Sequence, residues 1–336
     1  MEALRRTQFT VLKDSGNSDI PQRGGAMEHT ITFDIPYIGL NFYAEILNDT
    51  RMPETKTAAL RGGMGEMLLR QNCVADRKCE TCGFRKACVV SHTFYSAMEK
   101  KPSYVTSPES VGYLIECTDT RTHLKKGGRF EFTLSLFGDS IVFFNIYLQA
   151  FCQLGMSGLG KDRARFRISE VRNTQGKTIV RDNEVDMSRY CIDTVSGYVK
   201  KRKEKLLRRT GDWELTFMTP LSMKYQQKYM EKFYGEALVK GAARRIQMLN
   251  YYIGTEADVP EFFVYPEIRT QSVSREIVRR YSGTQDSRMA LRGISGTVIF
   301  DTMPEECLDY LIAGELTHMG RNTSFGFGKY ILGRNR

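Results

Sequence analysis

GLGKDRARFRI, residues 158–168, sets a glycine-rich turn directly before a strand. Arg163, Arg165 and Arg167 alternate with Ala164, Phe166 and Ile168. Strand side chains point to opposite faces in turn, so the pattern predicts three arginines on one face and an apolar set on the core side. Adjacent guanidiniums repel one another, and a bound anion relieves that repulsion. Arginine's planar fork suits phosphate oxygens. A solvated edge face is the plainer reading of the same alternation.

The segments around this stretch give the topology. Residues 40–47 read as a strand, and 56–71 as a helix striped by Leu60, Met64, Met67 and Leu68. Strands follow near 111–117 and 128–137, then a helix at 142–155, the glycine turn and the arginine strand. That order, β-α-β-β-α-β, is the ferredoxin-like arrangement. The second half repeats it. A strand at 213–218 precedes a helical pattern from Gln227 to about Tyr252, strand-like stretches at 261–268, 272–281 and 289–300, and a short helix from Pro304 to about Leu316. A final strand covers 329–332. Between that last helix and strand lies HMGRNTSFGFGKY, residues 318–330, again rich in glycine and cations.

The expected fold class is therefore α+β, with two tandem ferredoxin-like domains at 37–198 and 211–336. Residues 1–36 form an N-terminal extension, and 199–210 a basic linker. The linker belongs to VKKRKEKLLRRTG, whose Lys200, Lys201, Arg202, Lys203, Lys205, Arg208 and Arg209 read by default as a solvated charge run.

Glycine reaches φ > 0 and places no side chain between its amides and a ligand. Gly158 and Gly160 in the first loop, and Gly320, Gly326 and Gly328 in the second, are thus expected to present N–H groups to an anion. Arg321, Lys329 and Phe325 add charge and an aromatic surface for bases. A net charge of +10 over 336 residues favours a polyanionic partner, and 41% hydrophobic residues suffice for two cores. No stretch reads as a membrane span, since the longest apolar run, Ile141 to Leu154, is broken by Asn145 and Gln149. The first residues lack the apolar core of a secretory leader, so a cytoplasmic location is expected.

Four of the eight cysteines fall in CVADRKCETCGFRKAC, as Cys73, Cys79, Cys82 and Cys88. The C-x2-C pair can bite one metal while the flanking thiols complete a tetrahedral site. Structural zinc is the expectation; an iron–sulfur cluster uses the same ligands. Disulfides are disfavoured without a secretory leader.

ALRGGMGEMLLRQNC, CETCGFRKAC, GLGKDRARFRI and LTHMGRNTSFGFGKY occur in this order along the chain. Together they resemble the CRISPR-associated repeat-processing endoribonucleases of the RAMP superfamily, in the branch with a cysteine cluster after the first helix. The resemblance runs from about residue 37 to 334. It implies precursor CRISPR RNA bound across two ferredoxin-like domains and cleaved within each repeat without metal. It implies attack of a ribose 2′-hydroxyl that leaves a 2′,3′-cyclic phosphate. The setting is the prokaryotic cytoplasm, with CRISPR effector or adaptation proteins as further partners.

Such chemistry needs a base, a proton donor and cations for the phosphorane. Histidine suits the first two near neutral pH. Of four histidines, His29 lies outside the resemblance and His92 follows the cysteines as a metal ligand or surface residue. His318, where relatives also tend to carry histidine, is the first catalytic candidate, and His123 in the turn THLKKGG is another. Relatives often have histidine after RG-x-x-G; this chain has Glu66, the remaining candidate. The RNA-binding candidates are Arg61, Gly158, Gly160, Lys161, Arg163, Arg165 and Arg167, with Gly320, Arg321, Asn322, Ser324, Gly326, Gly328 and Lys329. A non-cleaving RAMP subunit that holds guide RNA accounts for the same features, and an iron–sulfur redox protein is a third class.

Overall fold

The computed structural model describes residues 30–335 apart from 80, 97, 99, 106–109, 183 and 283–286. Most of the expected N-terminal extension, with His29, lies outside the described residues. The first half contains β1 (Pro36–Ile46), α1 (Thr57–Asn72), α2 (Val89–Tyr95), β2 (Tyr113–Glu116), β3 (Arg129–Phe137), α3 (Phe144–Ser157) and β4 (Phe166–Asn173). Its sheet runs β2-β3-β1-β4 with antiparallel neighbours, and Thr178–Arg181 continues it beyond β4. This is the ferredoxin-like order. Phe42, Phe132 and Phe151 meet at its centre with ring centroids 4.8–5.3 Å apart. The helical stretch Gly138–Ser157 is long and apolar enough to cross a membrane by length and composition. Its Phe144, Tyr147, Phe151 and Leu154 pack into this first core.

The second half holds α4 (Val195–Leu207), β5 (Asp212–Leu221), α5 (Gly235–Tyr252), β6 (Ile268–Ser282), β7 (Ser287–Phe300), α6 (Glu305–Thr317) and β8 (Tyr330–Asn335). Its sheet order, β6-β7-β5-β8, repeats the first topology strand for strand. Trp213, Leu215 and Phe217 alternate inward from β5, as period-2 patterning requires.

The segment expected as a basic linker is mostly the helix α4. Val195, Val199 and Leu206 form a buried stripe beneath the cations, and the Thr194 hydroxyl accepts from Gly197 N at 3.1 Å as an N-cap. Arg202 forks onto Glu315 of α6 at 2.8 and 2.9 Å and donates to Leu332 O at 2.6 Å. Charge count concealed an amphipathic helix that belongs to the second domain. Two further expectations are corrected. The long helix starts at Gly235, because Lys224–Tyr225 and Lys228–Tyr229 form a small hairpin through Gln226 and Gln227, both at positive φ. Residues 261–267 are not a strand; Pro260 and Pro266 lack the N–H groups that a ladder needs.

The two domains share buried surface. Tyr37, Leu114 and Phe137 of the first sheet belong to the second core, whereas their neighbours Ile38, Tyr113 and Leu136 belong to the first. From α5, Arg245 donates to Thr317 O and to Val111 O, each at 3.0 Å, and the Tyr252 hydroxyl lies 2.7 Å from Ser140 Oγ. A Cβ on Gly112 would stand 2.4 Å from that hydroxyl. Glycine here lets α5 seat against β2.

Candidate active site and RNA interface

The second glycine loop, 318–329, turns through positive φ at His318, Gly320, Asn322, Gly326 and Gly328. Its amides are largely spoken for. Arg321 N donates to Ser222 O at 2.8 Å, Gly328 N to Pro220 O at 2.9 Å, and Lys329 N to Thr219 Oγ1 at 2.9 Å. A Cβ on Gly328 would lie 1.9 Å from Met319 O, and one on Gly326 2.9 Å from Thr57 Cγ2. The close approach that these glycines permit is to the protein's own chain. The loop is a packed turn rather than the open anion nest expected from sequence.

What it packs against is the first domain. Arg61 on α1 donates from Nε to Ser324 Oγ and from Nη2 to Ser110 Oγ, both at 3.2 Å. Its guanidinium lies 4.0 Å from the centre of the Phe325 ring and 5.1 Å from that of Phe94. His318 is fully buried, with Nδ1 3.0 Å from Phe327 O and Nε2 2.8 Å from Glu116 Oε1. Lys329 Nζ reaches the same Glu116 oxygen at 3.0 Å. Burial alone raises the Glu116 pKa, but the His318 hydrogen bond and the Lys329 charge outweigh it and hold the carboxyl at about 2. Burial lowers the His318 pKa despite the adjacent carboxylate. A ring enclosed between two oxygens supports the loop and has no exposed edge for a 2′-hydroxyl.

Sequence reasoning missed Glu116. It closes the apolar strand YLIE and belongs to no motif; its one signal is a carboxylate ending a buried strand.

The other candidates separate. Glu66 takes a two-point ion pair from Arg77, at 2.8 and 2.9 Å, and another from Arg70 at 2.8 Å. The Arg77 hydrogen bonds hold its carboxyl below the usual range, opposed in part by burial and aided by Arg70, so it is a poor proton donor. His123 is exposed, pairs across a two-residue ladder with Arg51, and has Nδ1 3.1 Å from Thr122 Oγ1. His92 Nε2 lies 2.8 Å from Lys86 O.

The first glycine loop also closes on itself. Leu159 and Ala164 exchange both backbone hydrogen bonds at 2.9 Å, and a Cβ on Gly158 would stand 2.6 Å from Arg163 O. Arg163, Arg165 and Arg167 are exposed while Ala164 and Phe166 are buried, the alternation read from sequence. Arg167 pairs with Glu45 at 2.8 Å; Arg163 and Arg165 form no ion pair among the described residues.

Both loops converge on the chain leading into α1. The Cβ position of Gly160 lies 3.9 Å from Pro53 Cδ, and Gly326 abuts Thr57. The buried Lys56 donates to Asp119 O at 2.6 Å and Arg121 O at 2.7 Å, and Met52 N donates to Thr122 O at 2.8 Å. These bonds hold the strand bearing His123 at the same corner. His123, Arg51, the first loop and Gly326 are therefore gathered around residues 50–57.

At the far end of α1 sit the cysteines, all four half-buried. Burial, then the neighbouring Cys73, Cys88 and Cys82, push the Cys79 thiol up. Arg77 N donates to Cys73 Sγ at 3.2 Å. Among the described residues no three ligating side chains close on a single point. Four thiols within sixteen residues, one already accepting from an amide, have the donor chemistry of a four-thiolate metal such as zinc, although the structure does not gather them around one point.

Residues 215–330 match the family model of the CRISPR-associated endoribonuclease Cas6, and residues 35–190 match one described as an N-terminal domain. No curated protein matches the chain. Among solved structures, one chain of a partial Cas6-RT-Cas1--Cas2 complex and one of a Cas6-RT-Cas1--Cas2 complex resemble it with TM-scores of 0.56, at 13% identity, over 91% of this chain. The protein spans 47% of the first of those chains and 29% of the second, less than half their length. At that identity the likeness establishes the fold. The match at 215–330 lies on the second ferredoxin-like domain and its glycine loop, so that part of the chain is similar to the CRISPR-associated endoribonuclease Cas6.

Proposed function

We propose that this protein binds precursor CRISPR RNA at the corner around residues 50–57 and cleaves it within the repeat, without a catalytic metal. The ribose 2′-hydroxyl attacks the adjacent phosphorus, the bond to the 5′-oxygen breaks, and the products are a 2′,3′-cyclic phosphate and a 5′-hydroxyl. The observation that supports this reading is the pinning of the family-matched glycine loop onto the first domain, which sets Gly326 against Thr57 at the corner that carries Arg51, His123 and the first loop. His123, exposed and beside Arg51, is the histidine best disposed to take the 2′-hydroxyl proton. Arg51 and Arg163 supply positive charge for the phosphorane. His318 is a positioning residue in this account, and Glu66 orients Arg70 and Arg77.

Cys73, Cys79, Cys82 and Cys88 hold one structural zinc, which stabilises the segment after α1 and takes no part in cleavage. A prokaryotic cytoplasmic site of action and contact with CRISPR adaptation or effector proteins follow from the same reading. A non-cleaving subunit that holds guide RNA is the second reading, favoured by the burial of His318 and the engagement of Glu66. Incubation with repeat RNA in EDTA separates the two. Discrete fragments are expected; a gel shift without fragments would establish the binding subunit instead.

A further inference from the structure

The cysteine segment carries surface that a purely structural metal site does not need. Phe84 is 68% exposed and Val74 75% exposed. Arg77, Lys78, Arg85 and Lys86 flank them, all exposed, and Asp76 is the one carboxylate among the described residues of 74–87. An aromatic ring left in water amid cations matches the chemistry of single-stranded RNA binding, in which bases stack on the ring and phosphates meet the charges.

A second observation lies on α1. Gly63 and Gly65 face Leu154 and Phe94 closely, so their missing side chains have internal reasons. Gly62 has nothing within 4 Å of its Cβ position and is exposed in the helix interior. Glycine there sacrifices helix propensity with no packing return inside the protein. It leaves bare helix backbone between the corner at residues 50–57 and the cysteine segment. Beyond it stand Arg70 and Arg77, each fixed by one carboxylate, Glu66, with guanidinium N–H groups left over.

Resting on the RNA-processing reading, we propose that the cysteine segment is a second RNA site. Phe84 stacks on a base of a single-stranded part of the substrate, with Lys78, Arg85 and Lys86 on its phosphates, and the strand reaches the cleavage corner along the exposed face of α1 past Gly62. The sixteen residues of α1 span roughly 24 Å at about 1.5 Å per residue. A stacked strand covers that distance in roughly seven nucleotides at about 3.4 Å each. Only RNA extended by that length beyond the repeat core engages both sites.

The test compares a minimal repeat RNA with the same RNA carrying single-stranded extensions of up to about ten nucleotides, on either side, against the full chain. The wild type is expected to bind one extended RNA more tightly. Phe84→Ala should weaken that RNA by roughly tenfold, within the range of one lost base stack, while leaving the minimal RNA unchanged. Phe84→Trp should restore the extended-RNA affinity, which a merely structural role would not. Phe84 is exposed, so an unchanged melting temperature accompanies the substitution. If the wild type binds the minimal repeat but Phe84→Ala binds both RNAs as the wild type does, the second site is overturned, leaving Phe84 as a surface for a protein partner. If the wild type binds no repeat RNA, the RNA-processing reading fails along with it.

Discussion

Glu116 of the first domain and His318 of the second meet at 2.8 Å, and Lys329 completes the cluster from the same side. This contact ties the glycine loop to β2, and Arg61 on Ser324 ties it to α1. The loop's shape is therefore a property of both domains together.

Removing Glu116 should release that lock. Glu116→Ala leaves a buried imidazole and an ammonium without their acceptor, at a cost of roughly 2–4 kcal/mol. Denaturant midpoints will show it, together with weaker RNA binding. Stability equal to wild type would mean that Arg61 suffices to hold the loop against the first domain.

Acid should act on the same contact. The Glu116 pKa is about 2 in the folded chain against an ordinary value of 4.5. A depressed carboxyl contributes stability that is complete above about 4.5 and is lost as pH falls toward 2, on the order of 3 kcal/mol in all. The lowered His318 pKa has the same sign, so its contribution is lost as pH falls below 6.5. Glu116→Gln should flatten the acid limb of a stability–pH curve; an unaltered limb would assign acid sensitivity elsewhere.

The two histidines should part company. His123→Ala is expected to retain RNA binding and slow single-turnover cleavage by about a hundredfold. His318→Ala is expected to lower the melting temperature and the affinity, with cleavage of bound RNA changed far less. Wild-type cleavage by His123→Ala would transfer the base role to another group.

Salt dependence distinguishes the arginines at and just before the start of β4. Arg163→Ala with Arg165→Ala should reduce the salt slope of RNA binding by about 2, because each lost phosphate contact releases one counterion fewer. Arg167 is already neutralised by Glu45, so its replacement should change the slope little. Equal effects from all three would place Glu45 away from Arg167 in the complex.

The tandem fold was legible because each apolar stripe has one period and each glycine turn recurs at the same topological place. Ala164 and Phe166 went inward as alternation requires. Other features depended on partners distant in sequence. Glu116 lies more than two hundred residues from His318, and no local pattern announces such a contact. The glycines of 318–328 marked close backbone approach correctly, but their neighbour is the chain itself. Glu66 stood in a motif position, yet Arg70 and Arg77 engage it. The helix α4 was hidden because its five cations, with Arg208 and Arg209 just beyond, outweigh three buried apolar residues in any count of composition.

Every role assigned here rests on cleavage by the RNA's own 2′-hydroxyl. It is tested most directly with a repeat RNA carrying a single 2′-deoxynucleotide immediately upstream of the cleaved phosphate, in the presence of EDTA. This RNA should bind as tightly as the all-ribose repeat and escape cutting, whereas the all-ribose RNA should yield a fragment ending in a 2′,3′-cyclic phosphate. Cleavage of the deoxy-substituted RNA at the same phosphate, at the all-ribose rate, would contradict it.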